Sequence, residues 1–454
     1  MAETLKNSYK GKTKEWLLSN GVEVWSKVKI TTEKGVFQGL VLPRGEQGDD
    51  KHLVIKIASG YNIGILVDNI TEIEIIEKIK ADYKVSKRTV EHDPEKPTIV
   101  LLGTGGTIAA KLDYKTGAVI PAFSPQELFN AVPELEKICN IETKRVFQLL
   151  SENIEVENWK SLAHEIADTI DKKDPTGIVI AHGTDTLHYT AAALSFMIKN
   201  LDRPVVLTGA QRSSDRPSSD AAINLLTSCK AAVEADIAEV LVCMHGTSGD
   251  DYNYLHRGTR VRKMHTSRRD AFKSIGEKPL AKIKENSFEI LNTKFHNRSA
   301  KRGKIELDLD MNQNVGLLYS YPGMKVELLE YFIEKEYSGV IIAGTGLGHI
   351  NQKFIPVIEK ATEKDIPVFM TSQCLWGYTG LNVYETGRKL LNAGVIPLKN
   401  MLPEVALVKA MWVLGHTDEI PFVKELMNTN LAGEITDCEP YDGYLIYQEK
   451  LKND

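Results

Sequence analysis

Hydrophobic and polar positions change their rhythm along this chain. Up to about residue 85 the apolar residues come in short alternating runs: Val22 and Val24, Val28 and Ile30, then 36–42 after a Glu33-Lys34-Gly35 turn, then Leu53, Ile55 and Ile57, and finally Ile63, Ile65 and Val67. A period of two turns one side chain in and the next out. These runs therefore predict half-buried strands joined by tight turns, the pattern of a small antiparallel β-barrel. No cluster of histidines, cysteines or acids falls in it, so it is expected to be a docking module without catalysis. Residues 86–96 are charged, lead into Pro97 and predict a linker.

From Pro97 onward, near-continuous apolar runs alternate with helical spacings. The runs 98–102, 146–150, 177–181, 205–207 and 240–244 predict strands. Val156, Trp159, Leu162, Ile166 and Ile170 predict one face of a helix, and 186–198 and 220–233 predict two more. Apolar strands between amphipathic helices imply a mostly parallel sheet covered on both faces. Residues 258–314 are more polar and irregular. Strand and helix then alternate again at 315–318, 326–335, 339–343, 355–362 and 368–371, and helices at 385–393, 403–413 and 419–427 follow. The fold class expected is α/β: a small N-terminal antiparallel β-barrel at 1–85, a large α/β domain at 97–300, a smaller one at 315–435, and a tail at 436–454.

Composition narrows the class of protein without choosing an activity. The chain has 454 residues with a formal net charge of −5, so the whole molecule is no polycation built to wrap nucleic acid. Its five cysteines are scattered and form no Cys-x-x-Cys pair, which fits a reducing compartment. The polar N-terminus lacks the apolar core of a signal peptide, and no run has the length of a membrane span. A cytoplasmic protein is expected.

The chemistry gathers at polar turns that follow strands, where ligands of open α/β sheets sit. The first turn is Gly103-Thr104-Gly105-Gly106-Thr107. A dinucleotide loop needs a glycine where Ile108 stands, and a phosphate loop needs a Gly-Lys-Ser/Thr ending that is missing. What remains is a tight turn with solvated threonines, or a turn that presents a nucleophile. The second turn is His182-Gly183-Thr184-Asp185-Thr186. A helix N-cap would account for Thr184 or Asp185, but not for both. The third element, 260–268, sets Lys263 among arginines. Such a lysine can lose its proton and serve as a base, or the segment can be a solvated basic strand. A threonine hydroxyl attacks only when a base takes its proton, and backbone N–H groups at glycine turns can hold a developing oxyanion.

The stretches TGGTIA (104–109), HGTDT (182–186) and RKxxTSR (262–268) resemble the signatures of the L-asparaginase/glutaminase family. The similarity continues through 208–225 and 372–377 and covers nearly everything after Pro97. It implies an asparaginase-like α/β unit in two parts. Thr107 then matches the nucleophile, on a loop that also carries Tyr114 as a lid tyrosine. Thr184, Asp185 and Lys263 match the second threonine, aspartate and lysine. Asp185 and Thr184 would also bind the amino-acid substrate, with Ser151. The order of attack of the two threonines stays open, and Thr104 is expected to hold the turn's shape.

The N-terminal module, the linker and Gly344-Thr345-Gly346-Leu347-Gly348-His349-Ile350 resemble a narrower branch, the GatD chains of archaeal glutamyl-tRNA(Gln) amidotransferases. That resemblance implies hydrolysis of glutamine to glutamate and ammonia. The ammonia would go to a partner subunit, GatE, which amidates Glu-tRNA(Gln). It also implies a homodimer within a heterotetramer, tRNA(Gln) contacted mainly through the partner, and no cofactor or metal in this chain, ATP and Mg belonging to the partner. The Thr107 loop is expected to be out of place until the partner docks. The 346–349 stretch and Glu152 after Ser151 depart from simple asparaginases, so the choice between glutamine and asparagine stays open.

Rival readings are a cysteine glutaminase using Cys374 and His416, a metal site around His245, His256, His265, Asp250 and Asp251 or at Asp308 and Asp310, a tRNA-binding scaffold using the arginines of 257–269, and a free-standing asparaginase.

Overall fold

A computed structural model of the chain describes residues 9–44, 48–58, 62–78, 92–106, 108, 110–112, 119–121, 132–212, 219–285, 287–298 and 303–441. The N-terminal part opens with helix α1 (Gly11–Ser19), which the alternation did not predict. Strands β1 (Ser26–Thr32), β2 (Gly35–Val41), β3 (His52–Ile57), β4 (Asn62–Leu66) and β5 (Ile70–Lys78) form an antiparallel sheet in the order β4-β3-β2-β1-β5. Among the described residues no ladder joins β4 to β5, so the pairing runs as an open sheet. Val28, Ile30, Leu53, Ile55 and Ile65 point inward as their alternation requires, and with Leu17 and Val22 they make a core of their own.

The next unit contains β6 (Thr98–Gly105), β7 (Ala110–Leu112), β8 (Val119–Pro121), β9 (Asn140–Leu149), α2 (Val156–Lys173), β10 (Gly177–Ala181), α3 (Leu187–Met197), β11 (Ile198–Lys199), β12 (Val205–Thr208), α4 (Ala221–Glu234), β13 (Val240–His245), β14 (Asn253–Arg257), β15 (Val261–Lys263), β16 (Phe272–Ser274), β17 (Ala281–Lys284), β18 (Ser287–Ile290) and β19 (Glu306–Leu307). Its main sheet has the order β18-β17-β14-β13-β12-β10-β6-β9. The strands from β13 to β9 are parallel, and β14, β17 and β18 extend the sheet antiparallel. Side chains of β6 divide by parity. Val100 and Leu102 join the face covered by α2 and α3, whereas Ile99 and Leu101 join the face covered by α4.

The last unit runs β20 (Val315–Tyr319), α5 (Glu327–Glu334), β21 (Gly339–Gly344), α6 (Ile355–Thr362), β22 (Val368–Ser372), α7 (Glu385–Asn392), β23 (Ile396–Pro397), α8 (Pro403–His416) and α9 (Ile420–Asn428). Its four strands are parallel in the order β20-β21-β22-β23. Helix α8 is the seam. Val405, Val408 and Trp412 pack in the same core as Phe196 of α3, and Ile341 of β21 and Phe369 of β22 belong to that core too. The large and small sheets therefore share one hydrophobic core and hold the strand ends of the large sheet in fixed relation. Among the described residues no helix is long and apolar enough to cross a membrane.

Candidate active site

The two glycine turns leave the sheet side by side because their strands are neighbours. β6 and β10 pair in parallel with Gly103 opposite Ala181, so 104–106 and 182–186 emerge from the same edge. Thr104 is fully buried, and its hydroxyl donates to the Ala181 carbonyl at 3.0 Å, which ties one turn to the strand beneath the other. That is the shape-holding role expected of it. Two glycines make the approach possible. Gly105 (φ +106°) lies against Leu149, and a Cβ there would sit 2.4 Å from the Leu149 carbonyl oxygen. A Cβ on Gly106 (φ +76°) would fall 2.2 Å from Cα of Gly183. The turns thus cross in backbone contact that no other residue permits. The Gly106 N–H donates to the Leu149 carbonyl at 3.0 Å, so this particular amide is not one of the oxyanion donors expected at the glycine turns.

At the second turn the helix begins one residue later than the capping alternative requires. Thr186 is the residue before α3, and its hydroxyl donates to the Ser151 carbonyl at 2.7 Å instead of capping the helix. Thr184 and Asp185 are left to face β15. The Lys263 ammonium donates to Thr184 Oγ1 at 2.9 Å and to Asp185 Oδ1 at 2.7 Å. The lysine side chain is 11% exposed and the aspartate 66%, so one carboxylate edge stays open to solvent and to a ligand. Ser151 is buried at the end of β9, and a Cβ on Gly183 would lie 2.8 Å from its Oγ. Four sequence-predicted residues, Ser151, Thr184, Asp185 and Lys263, therefore meet at one place although 112 positions separate the first from the last (263 − 151). Thr107 and Tyr114 lie outside the described residues, as do 109 and 113–118 of the loop expected to await a partner.

The arginines around Lys263 are committed to internal partners. Arg262 donates to the buried Glu404 at 3.1 Å, and burial pushes that carboxyl above its ordinary range. Arg257 pairs with Glu239 and Glu277, at 2.8 and 2.6 Å. Arg260 is fully buried and donates to the carbonyls of Asn400 and Glu434. Arg268 pairs with Asp270, and Arg269 with Asp250. A run read as a phosphate-binding stripe is, in space, a set of ion pairs and, for Arg260, bonds to backbone carbonyls. One further clamp lies within the 208–225 similarity, which gave its residues no role. Asp220 accepts from the amides of Gln211 and Arg212, and Asn224 donates to the Gly209 carbonyl, so α4 holds the turn that follows β12. Asp220 immediately precedes α4 and Asn224 lies in its first turn, so both face that strand end only once the helix is seated.

The rival sites do not assemble. His416 engages Asp308 at 2.5 Å through Nε2 and the Trp412 carbonyl through Nδ1, which leaves neither ring nitrogen for Cys374. His256 is buried against Ser274. Among the described residues no three His, Cys, Asp or Glu side chains come together in a group able to hold a metal ion.

Comparison with known proteins matches the chain in three segments. Residues 22–76 match the GatD N-terminal domain, 98–296 the model described as Asparaginase, N-terminal, and 314–427 the Glutaminase/Asparaginase C-terminal domain. GatD of Pyrococcus furiosus, a component of its glutamyl-tRNA(Gln) amidotransferase, is 50% identical over 441 residues, which is 96% of this chain and 100% of that protein. The GatD of Saccharolobus solfataricus is 46% identical, covering 95% of this chain and 97% of its own length. The chain belongs to the GatD family of glutamyl-tRNA(Gln) amidotransferases.

Solved structures agree on the fold of the GatD body. The thermostable L-asparaginase from Thermococcus kodakarensis superposes with a TM-score of 0.68 at 34% identity, covering 75% of this chain and 99% of that one. L-asparaginase I from Vibrio cholerae gives 0.66 at 30% identity over the same 75%. Nearly whole asparaginases thus match three quarters of the chain, while residues 22–76 match the domain that takes its name from GatD.

Proposed function

We propose that this chain is the glutaminase subunit of a tRNA-dependent amidotransferase. It hydrolyses glutamine through a threonine nucleophile to glutamate and ammonia, and the ammonia passes to a GatE partner that converts Glu-tRNA(Gln) to Gln-tRNA(Gln). Near-full-length similarity to GatD proteins supports the assignment, and the contact of Lys263 with Thr184 and Asp185 carries the chemistry. In this reading the lysine, once neutral, accepts the proton of a threonine hydroxyl, and Asp185 keeps its amine aimed at Thr184. Thr107 attacks the side-chain amide, with Thr184 as the second member of one apparatus and Tyr114 as the lid. The open edge of Asp185 and the Ser151 side chain hold the α-amino and carboxylate ends of the substrate. The antiparallel N-terminal sheet docks the partner. Two copies of the chain pair within a heterotetramer in the cytoplasm, tRNA(Gln) is met mainly through the partner, and ATP and Mg act there.

The test is ammonia release from glutamine with the partner subunit and charged tRNA present. Wild type should release ammonia, and Thr107→Ala should lose at least about a hundredfold in rate. Full activity of the chain alone, with asparagine preferred to glutamine, would instead identify a free-standing asparaginase. Tight, strongly salt-dependent binding of tRNA by the isolated chain without turnover would identify a scaffold.

A further inference from the structure

Behind the second glycine turn lies a buried chain of hydrogen bonds that the site chemistry leaves unused. The Trp159 indole N–H donates to Thr190 Oγ1 at 3.0 Å. Thr190 Oγ1 meets Nε2 of His182 at 2.9 Å, and Nδ1 of His182 meets the Gly183 carbonyl at 2.7 Å. Trp159, Thr190 and His182 are all buried, His182 completely.

The direction of every bond follows from the groups themselves. An indole can only donate, so Thr190 accepts from Trp159 and has its own proton to give. Within this chain of bonds the acceptor for that proton is the Nε2 lone pair. Nδ1 faces a carbonyl oxygen, which can only accept, so the ring proton sits there. His182 is therefore a neutral imidazole of defined tautomer. Burial agrees with this, since it pushes the ring's pKa down to about 4.

We propose that Trp159, Thr190 and His182 are positioning residues for the glutaminase reaction: together they hold the Gly183–Thr184 peptide at the angle that brings Thr184 to Lys263. The peptide is planar, so fixing the Gly183 carbonyl also fixes the direction of the Thr184 N–H and the position of the Thr184 Cα from which the side chain leaves. Gly183 is also the residue that Gly106 touches. A rotation of this peptide would move the second threonine and the crossing point of both turns at once. Misplacement of about 1 Å at such a point lowers rate by roughly a hundredfold. The inference rests on the threonine–lysine reading given above.

The test compares two replacements of His182 in the full complex. Asparagine keeps an N–H where Nδ1 was and can still donate to Gly183. Glutamine places its amide where Nε2 was and loses that bond. His182→Gln should lower kcat about a hundredfold with KM within about twofold of wild type. His182→Asn should recover at least about tenfold of that loss, at a thermal midpoint no higher than that of the glutamine variant. Thr190→Val and Thr190→Ser form a second pair if His182→Gln fails to fold. Valine removes the proton given to Nε2 and should lower kcat about tenfold, and serine should restore it. Equal kcat for the asparagine and glutamine variants, or a loss confined to KM, would overturn the relay. Lys263→Met in the same assay separates the two ideas. An inactive Lys263→Met beside equal His182 variants removes the relay alone, whereas an active Lys263→Met removes the reading of the site and the relay with it.

Discussion

Among the residues of the site, Lys263 matters through its partners. It donates to Thr184 Oγ1 at 2.9 Å on one side and to Asp185 Oδ1 at 2.7 Å on the other. Replacing it by methionine keeps the stem and removes both contacts. Glutamine hydrolysis should fall at least about a thousandfold while the thermal midpoint changes little, as read by ammonia release and thermal unfolding. Buried histidines set a different dependence. Burial lowers the pKa of His182 to about 4 and those of His188 and His256 to about 3. The unfolded chain, with ordinary values near about 6.5, binds more protons than the folded one between these limits. Stability should therefore be full above about pH 6.5 and decline as pH falls toward about 4. Proton uptake by these rings on unfolding should approach about three near pH 5, measured from the pH slope of unfolding free energies. A flat stability between about pH 6.5 and 4.5 would show that the rings are not held neutral.

At the scale of elements, the glycine turns set the crossing at the site, and the segment 429–436 after α9 forms a strap that accepts from Thr259 and Arg260 through the carbonyls of Ala432 and Glu434. Gly106→Ala would place a methyl 2.2 Å from Gly183 Cα at a positive φ. Activity should be lost and stability should fall by about 2 kcal/mol or more, seen in denaturant unfolding. The strap is anchored by Glu434, which is fully buried with Lys409 of α8 at 2.5 Å and accepts the amides of Leu431 and Ala432. Glu434→Ala leaves the buried lysine without its counter-ion, with only the Met427 and Thr429 carbonyls to accept from it, and should cost about 3–5 kcal/mol, whereas a paired Lys409→Met, Glu434→Leu variant should regain part of that in the same unfolding assay. Elements were legible where burial was complete. The runs 177–181 and 240–244 are strands lying in the middle of the sheet, and their apolar continuity says so. Strand β9 begins at Asn140, before the 146–150 run, because it is an edge strand whose Glu142, Lys144 and Arg145 are partly or wholly exposed. Polar residues there hide the strand. The two-residue strand Ile396–Pro397 is too short to have a period at all.

For the molecule as a whole, two bodies with separate hydrophobic cores are joined in one chain. The N-terminal sheet closes a core of its own, while α8 fuses the large and small sheets into another. A chain starting at residue 92 should therefore fold, keep its main unfolding transition, and still hydrolyse glutamine. If the N-terminal sheet docks the partner as proposed, adding the partner and charged tRNA should raise the rate of the full chain but not of this shorter one. An unchanged gain would show that docking lies elsewhere. The sequence by itself determined the α/β class, the alternation of the first module, and which reactive side chains stand at the polar turns. Those are consequences of local periodicity and of side-chain reactivity, and both are written in the order of residues. The tertiary structure alone decided that Arg257, Arg260 and Arg262 serve as internal braces, that Asp220 and Asn224 clamp a neighbouring turn, and that Trp159 and Thr190 stand behind His182. Each of these depends on which donor meets which acceptor across long separations, and only the packed sheet, through its register and the faces its helices cover, sets those meetings.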